Sequence, residues 1–260
     1  MASVPGPAAG RPSVGSVEKI VYLLWRDPAV PATDWSHDLR HGATAAVLAA
    51  GAHGLQVNVA DDAVATATLR FTEIDPQMEA VVGVWVDSAR TAARAPVDAA
   101  LAAALGTARV EAYLVTESEP LRNAAHPVPP GERTPGFANL AFLRRPPEMT
   151  PAAWIAAWHD DHTPVAIETQ STFGYVQNVV ARGLTPDAPA IDGIVEELFP
   201  PEALTDMHAF FAADDDAELA RRMGLMAEST ARFGADRALD LVPTSRYVMR
   251  SPWADGIPPG

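Results

Sequence analysis

Two short stretches decide how this chain reads: Gly54-Leu-Gln-Val-Asn-Val59 and Gly174-Tyr-Val-Gln-Asn-Val179. Each is a glycine followed by a strand-forming run, and both Gly54/Gly174 and Asn58/Asn178 lie 120 positions apart. Self-similarity at that distance marks a unit that occurs twice. Working outward, an apolar strand ending in Arg and Pro precedes each stretch, IVYLLWRDP from Ile20 and NLAFLRRPP from Asn139, with a helix between. After each comes a third strand, EAVVGVWVDS from Glu79 or DGIVEELFPP from Asp192. A helical region follows (88–105 or 205–233), then a last strand carrying Tyr113 or Tyr247. The order in each half is β-α-β-β-α-β, a ferredoxin-like repeat, and the fold class is α+β.

Pro and Gly break both helix and strand, and they concentrate in two places. Residues 1–16 read as a disordered arm without the apolar run of a signal peptide. Residues 119–136 (EPLRNAAHPVPPGERTPG) read as a linker between domains 17–118 and 137–252, and 253–260 as a tail. In the first strand of each half both alternating faces are mostly apolar, as burial on two sides requires. A four-stranded sheet with helices on one face leaves its other face bare, and a second sheet can cover it. The two halves are therefore expected to close on each other within the chain.

The net charge of −14 repels phosphate backbones and anionic lipid, so neither nucleic acid nor a membrane is an expected partner. The chain has no cysteine, which excludes disulfides and thiolate chemistry. No apolar run is long enough to span a bilayer, and the expected location is the cytoplasm. Gly-rich phosphate loops, nucleophile elbows and dinucleotide fingerprints are absent from the sequence.

The most informative helix is the first one of the second half. Thr150-Pro151 supplies an N-cap followed by proline at the first helical position. Trp154, Trp158 and His162 follow at intervals of four and share one face. In the first half His37 and His41 are again four apart, and this reading sets His41 against His162 and His37 against Trp158. The tryptophans are read first as packing residues. The pairs His159/His162 and His37/His41 are close enough in sequence to chelate but have no third ligand in register, so no metal is expected.

The run Trp158-His-Asp-Asp-His162-Thr-Pro164, followed by Gly174-Tyr-Val-Gln-Asn178, resembles the EthD family. The opening strand, Asp192-Gly193-Ile-Val-Glu and Arg232-Phe233 also fit; in the first half Ala43 stands where the proline belongs. The resemblance implies two EthD-type domains forming an intramolecular dimeric α+β barrel, a pseudo-dimer in one chain, with further homodimerisation left open. It also implies a ligand pocket between a sheet and its own helices or in the barrel lumen. The expected function is a cofactor-independent acid–base enzyme, a lyase of the dehydratase or cyclase type, acting on a small hydrophobic molecule of polyketide or aromatic kind. His162 would be the general acid/base, Asp161 or His159 would orient it, and Asn178 would hydrogen-bond a substrate oxygen. Trp158, Tyr175, Gln177, His41 and Asn58 would complete the binding site. Neighbours on a strand face opposite ways, so Gln177 and Asn178 cannot both enter one pocket, and this reading favours Asn178. Rival readings are a non-catalytic binding or accessory protein, a cofactor-free monooxygenase, and a haem protein with His162 as axial ligand.

Overall fold

The computed structural model describes residues 17–105 and 109–253; the expected N-terminal arm and most of the tail lie outside the described residues. The first half runs β1 (Glu18–Trp25), α1 (Ala32–Asp38), α2 (Thr44–Ala49), β2 (Gly54–Val59), β3 (Ala80–Val86), α3 (Thr91–Leu105) and β4 (Arg109–Leu121). The second runs β5 (Phe137–Leu143), α4 (Pro151–Ala156), α5 (Thr163–Thr169), β6 (Gly174–Gly183), β7 (Gly193–Phe199), α6 (Met207–Phe210), α7 (Asp216–Phe233) and β8 (Asp240–Arg250). Eight strands close into one antiparallel barrel in the order β1-β3-β2-β8-β5-β7-β6-β4. Two seams, β2 with β8 and β4 with β6, join the halves, and closure leaves the barrel without a free edge.

Burial on both strand faces gives each first strand two contacts. Val21, Leu23, Trp25, Tyr113, Leu140, Phe142 and Ile194 turn inward and fill the lumen. The alternate residues of β1 and β5 turn outward under the helices of their own halves. Each fully buried Leu or Phe contributes about 1.5–3 kcal/mol of transfer free energy. The apolar stretches therefore feed a lumen and two helix-side cores.

The structure corrects the expected linker at its start. Glu119, Pro120 and Leu121 belong to β4, which pairs with β1 up to Val115 and continues along β6 to Leu121. Pro120 is tolerated because the register with β6 shifts between Ser118 and Leu121. The two strand tyrosines are not equivalent either: Tyr113 packs in the lumen, whereas Tyr247 packs outward under the first-half helices. Trp253 is partly buried beside Val17 and Glu18, so the start of the tail does fold back.

The connections between the middle strands differ in length and cross the seams. Residues 60–79 leave β2 and lie against the second half. There Phe71 pairs with Leu241, Thr68 N–H donates to Leu204, and the buried Asp240 carboxylate accepts from Glu73 and Ile74 N–H at 2.8 Å each. Residues 184–192 cross the opposite way. Leu184 N–H donates to Ala112, and its carbonyl accepts from Arg94 at 2.9 Å.

Candidate active site

In each half the first helix is interrupted by a π-turn, Leu39–Ala43 or Ala157–His162, a feature often found at functional sites. Thr44 donates to the Leu39 carbonyl and Thr163 to the Trp158 carbonyl, both at 2.9 Å. These matched bonds fix the register between halves. Trp35, Leu39, Ala43 and Thr44 each stand 119 positions before Trp154, Trp158, His162 and Thr163. Ala43, not His41, is therefore the counterpart of His162. His41 is exposed and packs on the equally exposed His37, ring centroids 4.3 Å apart, because Leu39 and Ala43 take the inward face.

The second half encloses a cavity of ≈ 640 Å³ between the outward faces of β5, β6 and β7 and the helices above them. Its floor is a row of three directly paired residues, Asn139 on β5, Glu197 on β7 and Tyr175 on β6. Trp158 and His162 descend from the helix, and Phe210, Phe211, Phe233, Met223 and Met226 form the apolar walls. Gly193 makes room for the tryptophans: a Cβ there would lie 2.7 Å from the Trp158 ring and 3.0 Å from that of Trp154. Residues 69–73 of the first-half crossover supply one further wall.

His162 is 7% exposed, with Nδ1 2.9 Å from Ser229 Oγ on α7 and its ring 4.8 Å from that of Phe233. Burial pushes its pKa down to about 4, so the imidazole is neutral at pH 7. Burial acts in the opposite sense on Glu197 and pushes its carboxyl up to about 8, so the acid is mostly protonated at pH 7. Buried Tyr175 is raised as well, by desolvation first and by Glu197 second. Three polar atoms of cavity-lining residues, Trp158 Nε1, Asn139 Oδ1 and Gln170 Oε1, are buried without a hydrogen-bond partner among the described residues.

Of the residues singled out from sequence, His162, Trp158 and Tyr175 meet at this cavity. Asp161 is exposed and His159 is partly buried against Trp158, its pKa lowered chiefly by burial; neither orients His162, a task that falls to Ser229. The choice between Gln177 and Asn178 falls the other way. Gln177 shares the outward face with Tyr175 and donates to Thr163 Oγ1 at 2.7 Å, whereas Asn178 faces the lumen and donates to Ile194 O at 3.2 Å. Asn58 is also in the lumen, donating to Glu196 at 2.9 Å and Thr244 at 3.2 Å, and Arg246 pairs with the same Glu196 at 3.0 Å. Asn58, His41, Gln177 and Asn178 do not line the cavity. Glu197, Asn139 and Ser229 were missed because a lone Glu in a strand or Ser in a helix carries no motif. The available signal was Glu196-Glu197 inside an otherwise apolar strand, which forces one carboxylate onto each buried face. Among the described residues no cluster of three metal-ligating side chains occurs, and no helix is long and apolar enough to cross a membrane.

Closed antiparallel strands with helices packed outside them define an α+β barrel, and under the second-half helices it holds a largely apolar cavity with two displaced titratable groups. Over residues 146–233 the chain matches the family model of the EthD domain. The fold is similar to that of an anthrone oxidase-like protein, with TM-score 0.53 and 11% identity over 93% of this chain and 97% of the other. A variant of chlorite dismutase from Candidatus Nitrospira defluvii aligns with TM-score 0.46 and 9% identity over 90% and 92% of the two chains. A search of curated proteins finds no match.

Proposed function

We propose that this protein is a cofactor-independent acid–base enzyme, of the dehydratase or cyclase kind, acting on a small apolar molecule held in the second-half cavity. The observation that carries this reading is that His162 and Glu197 line one largely apolar cavity with pKa values displaced in opposite directions. Between about pH 4 and pH 8 the site holds a neutral base and a neutral acid together. That is the arrangement needed to remove a proton from carbon and deliver one to oxygen. Neutral His162 takes the proton at Nε2 while Ser229 holds Nδ1. Glu197 donates to the oxygen on which charge develops. Aromatic and methionine walls suit a flat, apolar substrate. The recurring element order also supports reading 17–118 and 137–252 as two ferredoxin-like units joined in one chain, of which only the second keeps a site.

The test is proton exchange at the carbon beside the carbonyl of 2-tetralone, a bicyclic ketone that enolises, followed by NMR in D₂O. The wild type accelerates exchange and His162→Ala returns it to the uncatalysed rate. Equal exchange with both proteins would sink the reading. A second reading, cofactor-free oxygenation, draws on the fold shared with the anthrone oxidase-like protein. Oxygen uptake with anthrone as substrate, without exchange on 2-tetralone, would favour it.

A further inference from the structure

The crossover 60–79 brings one cationic side chain to the cavity of the other half. Arg70 is the only Lys or Arg among the residues that line it. Its backbone is pinned on both sides, by the Thr68 N–H bond to Leu204 and by the paired Phe71 and Leu241. Its single hydrogen bond runs from Nη1 to Gln77 Oε1 at 2.8 Å. Gln77 is held in turn by donating to the Phe71 carbonyl at 2.8 Å and to Thr72 Oγ1 at 3.2 Å. A guanidinium has five N–H donors, so in this exposed residue the remaining ones have no protein partner among the described residues.

The setting makes that freedom informative. Acidic residues outnumber Lys and Arg by 33 to 19, and carboxylates pair with Arg26, Arg94, Arg109, Arg144, Arg222 and Arg246, among others. Among the described residues Arg70 has no carboxylate within 4 Å. Arg70 is exposed at the rim of the cavity, and the apolar wall beside it lowers its pKa by partial desolvation. A planar fork with free donors at the wall of an apolar cavity matches a carboxylate in shape and charge.

We propose that Arg70 is the anion-recognition residue of this cavity, and that its ligand is an apolar, aromatic monocarboxylic acid. The acid group docks on the guanidinium and the ring system enters the aromatic walls toward Glu197 and His162. Glu73 and Asp236 also line the cavity, and their charges disfavour a second anionic group on the ligand. The inference rests on the second-half cavity being a ligand site, as in the proposed function, and adds the class of molecule.

The experiment compares 2-naphthoate with methyl 2-naphthoate by isothermal titration calorimetry, using the full chain. The wild type binds the acid about tenfold or more tightly than the ester, a preference that shrinks as salt rises. Arg70→Gln loses about tenfold in affinity for the acid and leaves the ester unchanged, and Arg70→Lys recovers part of the loss. Equal affinity of the wild type for both probes, or an equal loss of both in Arg70→Gln, overturns the role of Arg70 while leaving the cavity as a ligand site. Absence of binding by either probe overturns both readings.

Discussion

The two halves share their strand order and register, yet at matched positions they carry opposite chemistry. Under the second-half helices the floor row is Asn139–Glu197–Tyr175, and the same row under the first-half helices is Ile20–Val84–Leu55. Above it, Trp158 and His162 face Leu39 and Ala43. In the first half Trp35, Leu39, Ala43 and Val47 belong to one apolar core with Leu55, Val57, Val82 and Val84. One framework therefore supports a packed core on one side and a cavity with an acid and a base on the other. Building a site here needed no change of fold, only polar residues at positions where apolar ones also fit.

The sharpest break in this comparison is His162→Ala, which is expected to lower turnover by about 10²–10⁴ with near-UV dichroism unchanged. Next comes the pH response of stability, which the first half lacks the groups to produce. Glu197 has a folded pKa raised from 4.5 to about 8, so its contribution is full below 4.5 and is lost as pH rises through 8. His162, lowered from 6.5 to about 4, acts oppositely, and its contribution is lost as pH falls from 6.5 through 4. The two oppose each other up to pH 6.5, above which Glu197 acts alone. Urea titrations of the wild type should show a loss of about 2 kcal/mol between pH 6.5 and 8, absent in Glu197→Gln. Ser229→Ala, which removes the partner of His162 Nδ1, should cost about 1 kcal/mol in urea and reduce kcat more than it raises KM. Smallest of all, His41→Ala should stay within about 0.5 kcal/mol of the wild type, as an exposed residue outside the site.

The α+β order and the second-half helix could be read from sequence because both rest on local signals. Continuous apolar strand runs, the Thr150-Pro151 cap and the Asn58/Asn178 spacing need no long-range information. Thr150 indeed accepts from Ala153 N–H at 3.2 Å, and Asp215 caps α7 by accepting from Glu218 N–H at 2.8 Å. The histidine match failed because residue type was followed instead of register. Trp35 with Trp154 and Thr44 with Thr163 keep a constant spacing that His41 with His162 does not. Strand facing was undecidable for Gln177 and Asn178, since both faces of β6 are buried and each amide finds a home on its own side. Ser229 reaches His162 from 67 positions away through helix packing within the second half, and Arg70 reaches the cavity from 92 positions away through the crossover between the halves; neither proximity shows in the sequence.

Both halves of this barrel lie in one polypeptide, and no symmetry ties their residues together. A barrel assembled from two identical copies has a two-fold axis, so every substitution appears on both sides and each position must serve two environments. Here a carboxyl can sit opposite a valine, and a long arm can reach across one seam while a short one crosses the other. Asymmetry of this kind lets one side pack solid while the other keeps a cavity.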